Sequence, residues 1–143
     1  MSDLDTLRAD PRVVVVRDVL RFSDCDMLGH VNNVVYATLC ESGRVAYLRE
    51  RLGAVEAAGG VVVIAKLAIS FEAELHYPGE VETATWLARL GRTSFTVAQE
   101  IFSSGRRVAS AEGVCVVIDA ATRRPMPIEG DLRVGVEGLA RTG

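Results

Sequence analysis

Two acids, a glycine, a histidine and two asparagines lie within one short run of this 143-residue chain: Asp24-Cys25-Asp26-Met27-Leu28-Gly29-His30-Val31-Asn32-Asn33. His30 is one of only two histidines in the protein. Valine-rich sequence precedes the run and a helical pattern follows it, so the polar cluster sits where a strand hands over to a helix. A helix N-terminus offers unpaired N–H donors and the positive end of the helix dipole, both suited to an anion or a polarised carbonyl. Asp24 is read as a structural acid of the loop. Cys25 adjoins Asp26 and should face the other side of the chain from it. No serine or cysteine nucleophile with a base and a third partner is apparent, so a Cys25–His30 nucleophilic pair is not favoured.

The elements that must position this run read as follows. Residues 1–11 are polar, end at Pro11 and are expected to form a flexible arm. Arg12–Phe22 contains four consecutive valines and is predicted as a strand by β-branched enrichment. From Asn32, Val35, Leu39, Leu48 and Leu52 recur at helical spacing, with Asn32 or Asn33 as N-cap, Arg49 and Arg51 in the last turn and Gly53 as the stop. Gly43 in the middle of that helix costs about 1 kcal/mol relative to alanine, unless a neighbour packs closely against it. A small-residue loop is expected over 53–60. Four strands follow, over 61–75, 80–90, 93–102 and 107–119, separated by turns at His76–Gly79, Gly91-Arg92 and Ser103–Gly105. The first of them alternates in its second half and is apolar on both sides in its first half, so that half should be buried on both faces. Ile128–Leu139 reads as a weak terminal helix or a tail. One strand, one long helix and a meander of four strands predict an α+β fold with a five-stranded antiparallel sheet around one long central helix.

Composition narrows the function. A net charge of −3 argues against a nucleic-acid footprint. The three cysteines, Cys25, Cys40 and Cys115, are odd in number and widely spaced, which fits reduced thiols in a cytoplasmic protein better than a disulfide framework. No His, Cys or carboxylate cluster has metal-ligand spacing, so no metal or other cofactor is expected. The longest apolar runs fall far short of the roughly 18 residues of a membrane span, and the acidic opening Met-Ser-Asp-Leu-Asp is unlike a secretory signal.

The run Asp24–Asn33, with Tyr36 after it, resembles the opening motif of the hotdog-fold acyl-CoA thioesterases of the 4-hydroxybenzoyl-CoA thioesterase class. The resemblance continues through Glu41-Ser42-Gly43-Arg44, Tyr77-Pro78-Gly79-Glu80 and Gly91-Arg92-Thr93-Ser94-Phe95, in the family's order. It implies a single hotdog domain over residues 12–143, cleavage of acyl-CoA to carboxylate and free coenzyme A, and coenzyme A as part of the substrate rather than a cofactor. It implies protomers paired edge to edge, as a homodimer or homotetramer with shared active sites, and no nucleic-acid or membrane partner.

The resemblance also distributes roles. Asp26 matches the catalytic aspartate, which can attack the thioester carbonyl directly or activate water as general base; its alternative duty is to turn the loop. Asn33 matches the position whose backbone N–H polarises the carbonyl, with Gly29 opening the helix entry. His30 is expected either to position water or the acyl carbonyl, or to brace the loop. Glu41 is the alternative carboxylate, or the partner of Arg44 in an i,i+3 ion pair. Tyr36 lines the acyl pocket or packs in the core. Arg92, Thr93 and Ser94 are expected to meet the phosphates of coenzyme A, a task that suits arginine's forked donors. Arg106-Arg107 and Arg123-Arg124 are further basic candidates. Competing readings are a hotdog hydratase or dehydratase, a non-catalytic acyl-CoA-binding module, and a thioesterase that takes acyl-carrier protein.

Overall fold

The computed structural model describes residues 3–142. Its elements in chain order are α1 (Asp3–Ala9), β1 (Val14–Val19), a single 3₁₀ turn over Phe22–Asp24, α2 (Asn33–Arg51), α3 (Gly53–Ala57), β2 (Gly60–Phe71), β3 (Glu80–Leu90), β4 (Ser94–Ser103), β5 (Arg106–Asp119) and α4 (Gly130–Glu137). The five strands form one sheet in the order β1-β3-β4-β5-β2, antiparallel throughout. This is the hotdog fold: a sheet curved around α2.

Helix α2 begins where Asn32 caps it, the side-chain Oδ1 accepting from Val34 N at 2.9 Å. It buries Tyr36, Leu39, Cys40, Gly43, Arg44 and Tyr47, a stripe at three- and four-residue spacing that faces the sheet. Gly43 has the close neighbour its position calls for. A Cβ there would lie 2.8 Å from Thr83 Cγ2, 2.8 Å from Thr85 Oγ1 and 3.0 Å from Gln99 Nε2. Glycine therefore lets the helix backbone sit on a buried polar cluster, in which Gln99 Nε2 donates to Thr85 Oγ1 and to the Cys40 carbonyl.

The sheet divides the core lengthwise. At the end where β2 finishes, Tyr36, Leu39, Leu75, Val81 and Ile101 pack together. At the end where β2 begins, Tyr47, Leu52, Leu87, Phe95 and Val117 pack with Ile128 and Val136 from the C-terminal segment.

Three expectations are corrected. The predicted arm is largely helix: α1 buries Leu4 and Leu7 on the convex face against Ala84, Trp86 and Phe102. Seven residues carry too little periodicity to announce a helix, and one so short forms only when packing supports it. Met1 and Ser2 of that arm lie outside the described residues. Gly53 does not stop helical structure; α2 ends at Arg51, and α3 restarts at Gly53 with Val55 buried, so the expected 53–60 loop is partly helical. The first half of the long strand is not buried on both faces. β2 is an edge strand, with Val61 at 37% and Ile64 at 43% exposure. Both termini are tied to the convex side: Arg12 and Arg141 bond the Asp10 carboxylate, and Arg141 stacks over Trp86.

Candidate active site

The 22–33 loop is built around two hydrogen-bonded acids. Asp24 is buried, and its carboxylate accepts from Arg21 N at 2.8 Å and from the Arg21 guanidinium at 2.9 Å. Burial alone would raise its pKa, but the two Arg21 bonds outweigh that and hold the carboxyl below its usual range. The Asp24 carbonyl accepts from Asn32 N, so this acid braces the entry to α2.

Asp26 opens the next turn. Its carbonyl accepts from Gly29 N, its N–H donates to the His30 carbonyl, and its Oδ1 accepts from Leu28 N at 2.9 Å. Gly29 closes the turn at φ +85°, a conformation that side chains with a Cβ rarely take. One carboxylate oxygen of Asp26 thus turns the loop, as an Asx bond does, and Oδ2 has no bond among the described residues. The turn sets Asp26 beside His30. His30 Nδ1 lies 3.1 Å from the Val31 carbonyl; that contact is a hydrogen bond when Nδ1 carries the proton, which leaves Nε2 as an acceptor.

At the first turn of α2 the donors are unequally used. Val34 N goes to Asn32 Oδ1 and Val35 N to the Asn32 carbonyl. Asn33, the first helical residue, has no intrahelical acceptor for its own N–H. It faces a cleft of about 390 Å³ lined by His30, Asn33, Tyr36 and the segment Phe71-Glu72-Ala73-Glu74. Tyr36 is buried, donates its hydroxyl to the Ala73 carbonyl and meets the Phe71 ring edge-on at 5.0 Å. Burial raises the Tyr36 hydroxyl above its ordinary pKa, so it stays a donor. Residues 71–74 escaped the sequence reading: alternation placed Glu72 and Glu74 on a solvent face, and only the ladder shows that β2 ends at this cleft. Glu72 there is held by Arg107 at 2.7 Å.

Residues 20–136 match the sequence profile of the thioesterase-like superfamily. The chain belongs to that superfamily. No curated protein matches it. Among solved structures, a predicted thioesterase from Bacillus stearothermophilus is 26% identical with a TM-score of 0.80, covering 92% of this chain and 98% of that one. A thioesterase from Thermus thermophilus, described as complexed with coenzyme A and Zn, is 29% identical with a TM-score of 0.76, covering 90% and 94%. A DHNA-CoA thioesterase from Staphylococcus aureus, at 20% identity and a TM-score of 0.76 over 89% and 92%, shares the fold. The protein is a thioester hydrolase by family.

In this thioesterase, His30, Asn33 and Tyr36 line the cleft, Asp26 does not, and the remaining candidates do not meet there within one chain. Arg92, Thr93 and Ser94 form the β3–β4 hairpin, pinned by Val117 N to the Thr93 carbonyl and Ile128 N to the Arg92 carbonyl. That hairpin stands at the end of the sheet where β2 begins, whereas the cleft stands where β2 ends. Ser94 is level with Val63 through Val116, so the stretch of β2 from Val63 to Phe71, about 26 Å at strand rise, separates it from the cleft. Arg123 and Arg124 are exposed in the turn after β5, at the hairpin's end. Arg106 and Arg107 lie at the cleft's end, with Arg107 already paired to Glu72 and Glu100. Glu41 lines a different cleft, of about 640 Å³, between α2 and β1. The i,i+3 pair of Glu41 with Arg44 does not form: Arg44 is buried, Glu41 is exposed, and Arg44 Nη1 has no partner among the described residues. Among the described residues no group of three His, Cys, Asp or Glu is placed to hold a metal ion, and no helix is long and apolar enough to cross a membrane.

Proposed function

We propose that this cytoplasmic protein hydrolyses acyl-CoA thioesters at a site completed by a second copy of the chain. The observation that carries the reading is the open N–H of Asn33 at the head of a 19-residue helix, in a cleft that His30 also lines, with Asp26 tied to His30 through its N–H to the His30 carbonyl. A thioester carbonyl docked on that N–H would meet both a donor and the positive helix end, which stabilise the oxyanion as it develops. Asp26 Oδ2 supplies the attacking oxygen, or takes the proton of the water that attacks. His30 Nε2 accepts from that water and holds it. Tyr36 and Phe71 form an apolar wall for the acyl group. The step needs only these groups, with no metal or cofactor. Coenzyme A bound to a structural relative supports acyl-CoA as the substrate class.

Pairing of two β2 edges about a two-fold axis is antiparallel by symmetry. It sets the Gly60 end of one copy beside the Phe71 end of the other, which carries Arg92, Thr93 and Ser94, with Arg123 and Arg124, toward the partner's cleft. Those basic groups then meet the nucleotide phosphates.

The test is thiol release from short, long and aromatic acyl-CoAs by wild type and Asp26→Asn. Asparagine keeps the Asx bond to Leu28 and loses only the base or nucleophile. The expected result is release by wild type and a kcat about 10²–10⁴ lower in the variant. Equal rates would remove Asp26 from the chemistry and make Glu41→Gln the next variant. Turnover of crotonyl-CoA to the hydroxyacyl product without thiol release would favour a hydratase, release from acyl-carrier protein alone would change the donor, and tight binding without turnover would favour a binding module.

A further inference from the structure

The chain's two histidines, His30 and His76, converge on one peptide group. His76 Nδ1 lies 3.3 Å from the carbonyl oxygen of Gly29, which belongs to the peptide that joins Gly29 to His30. A carbonyl only accepts, so the contact is a hydrogen bond when Nδ1 carries the proton. On the other side of the ring, Nε2 lies 3.4 Å from Glu74 Oε2. A carboxylate at the second nitrogen orients an imidazole for the bond made by the first.

The gripped peptide has little else to hold it. Met27, Leu28 and Gly29 are exposed, and a Cβ added at Gly29 would meet nothing within 4 Å, so packing does not fix this corner. At φ +85° the glycine also lacks the side chain that restricts rotation of a neighbouring peptide. The other hydrogen bonds of residues 26–30 stay inside the loop. Asp26 N donates to the His30 carbonyl, Gly29 N to the Asp26 carbonyl and Leu28 N to Asp26 Oδ1, while His30 Nδ1 faces the Val31 carbonyl. Among the described residues, His76 makes the only hydrogen bond to this stretch from another segment. The segment that carries His76 is itself anchored on both sides. Leu75 is 1% exposed, and its carbonyl accepts from Val31 N at 2.8 Å. Tyr77 meets the Phe22 ring edge-on at 5.8 Å. His76 therefore reaches Gly29 from a main chain already ordered, which lowers the entropy lost in making the bond.

We propose that His76 is a positioning residue for thioester hydrolysis: by holding the Gly29 carbonyl it fixes the peptide from which His30 starts, and so the aim of His30 into the cleft that Asn33 shares. This inference rests on the thioesterase reading above and adds to it a residue from outside the 22–33 loop. His76 acts through Gly29 and His30 and not on the substrate. Loss of its bond loosens the corner without unfolding the protein, because Val31 and Leu75 stay joined through their own hydrogen bond.

His76→Asn, His76→Gln and His76→Ala test this, with circular dichroism as a check on folding. Asparagine carries an N–H near the position of Nδ1 and keeps a donor for Gly29. Glutamine places its amide near Nε2, toward Glu74, and alanine has neither. Hydrogen exchange over residues 25–31 reads the corner, and thiol release from the acyl-CoA that wild type turns over fastest reads the chemistry. In His76→Gln and His76→Ala, exchange is expected to be about three- to tenfold faster and kcat about three- to tenfold lower, the range of one hydrogen bond. KM should stay within about twofold of wild type. His76→Asn is expected to recover most of both losses. Exchange in His76→Ala equal to wild type overturns the hold on Gly29. Faster exchange with an unchanged kcat overturns the positioning role and leaves the thioesterase reading standing. An asparagine variant as impaired as alanine overturns the Nδ1 bond as the cause. Absence of thiol release from every acyl-CoA by wild type overturns the thioesterase reading and the positioning role with it, and exchange then still decides whether His76 holds the corner.

Discussion

The two ends of the sheet are finished differently. Where β2 begins, the chain closes its own core: Val55 of α3, Ile128 and Val136 cover Phe95, Leu87 and Val117. Where β2 ends, the 22–33 loop leaves Phe22 at 78%, Met27 at 102% and Leu28 at 79% exposure beside the cleft. Exposed apolar residues of this kind are what the proposed second copy would cover. The closed end is rigid scaffolding that also presents Arg92. The open end holds the groups that could act on a carbonyl. Both ends hold buried core, but only the end where β2 finishes also carries the candidate groups.

Substitutions can break or sharpen that contrast. The largest effect on stability is expected from Phe95→Ala at the closed end, where the ring is 2% exposed; it should cost about 3–5 kcal/mol. Phe22→Ala at the open end should change stability by less than about 0.5 kcal/mol, although its edge contact with Tyr77 is lost. Urea denaturation of both variants measures the difference, and similar losses would erase the distinction between the ends.

Gly43→Ala probes the join between them. Alanine is worth about 1 kcal/mol in a helix relative to glycine, but its Cβ would meet Thr83 and Thr85 at 2.8 Å. The collision is expected to win, with a net loss of about 1–3 kcal/mol in the same urea experiment. A stabilised variant would mean that α2 can lift from the sheet without loss. The smallest effect is chemical. Cys40 and Cys115 are fully buried and raised to about 11 by burial, so at about pH 8 they should resist alkylation until the protein unfolds. Half-buried Cys25, in the open-end loop, should be labelled first, as peptide mapping of a short iodoacetamide pulse would show.

Much of this was legible before the structure. The valine run, the Asn32 cap, the helical stripe and the alternation of the four later strands are local signals with fixed periods, and each element appears within a few residues of its expected place. The 24–33 motif marked the loop that forms the candidate site, and Asp24 within it as structural. What it could not reveal is that Asp26 spends one oxygen on Leu28 N, or that Asn33 keeps its N–H free because Asn32 takes the two donors after it. Those depend on hydrogen-bond partners, which spacing does not encode. Helix α1 was missed because Leu4 and Leu7 gain their meaning only from Trp86 and Phe102, distant in the chain.

The fold class, the superfamily and the loop in which chemistry is to be sought were already written in the residue order, because they follow from periodicity and from residues close together in the chain. The rest waited on contacts between distant segments. Strand order made β2 an edge and so exposed Val61 and Ile64. Packing turned a mid-helix glycine from a cost into a requirement. The length of the sheet parted Arg92 from His30, and burial parted Arg44 from Glu41. Local pattern fixes none of these distances, and together they are why the candidate groups stand apart within one copy of the chain.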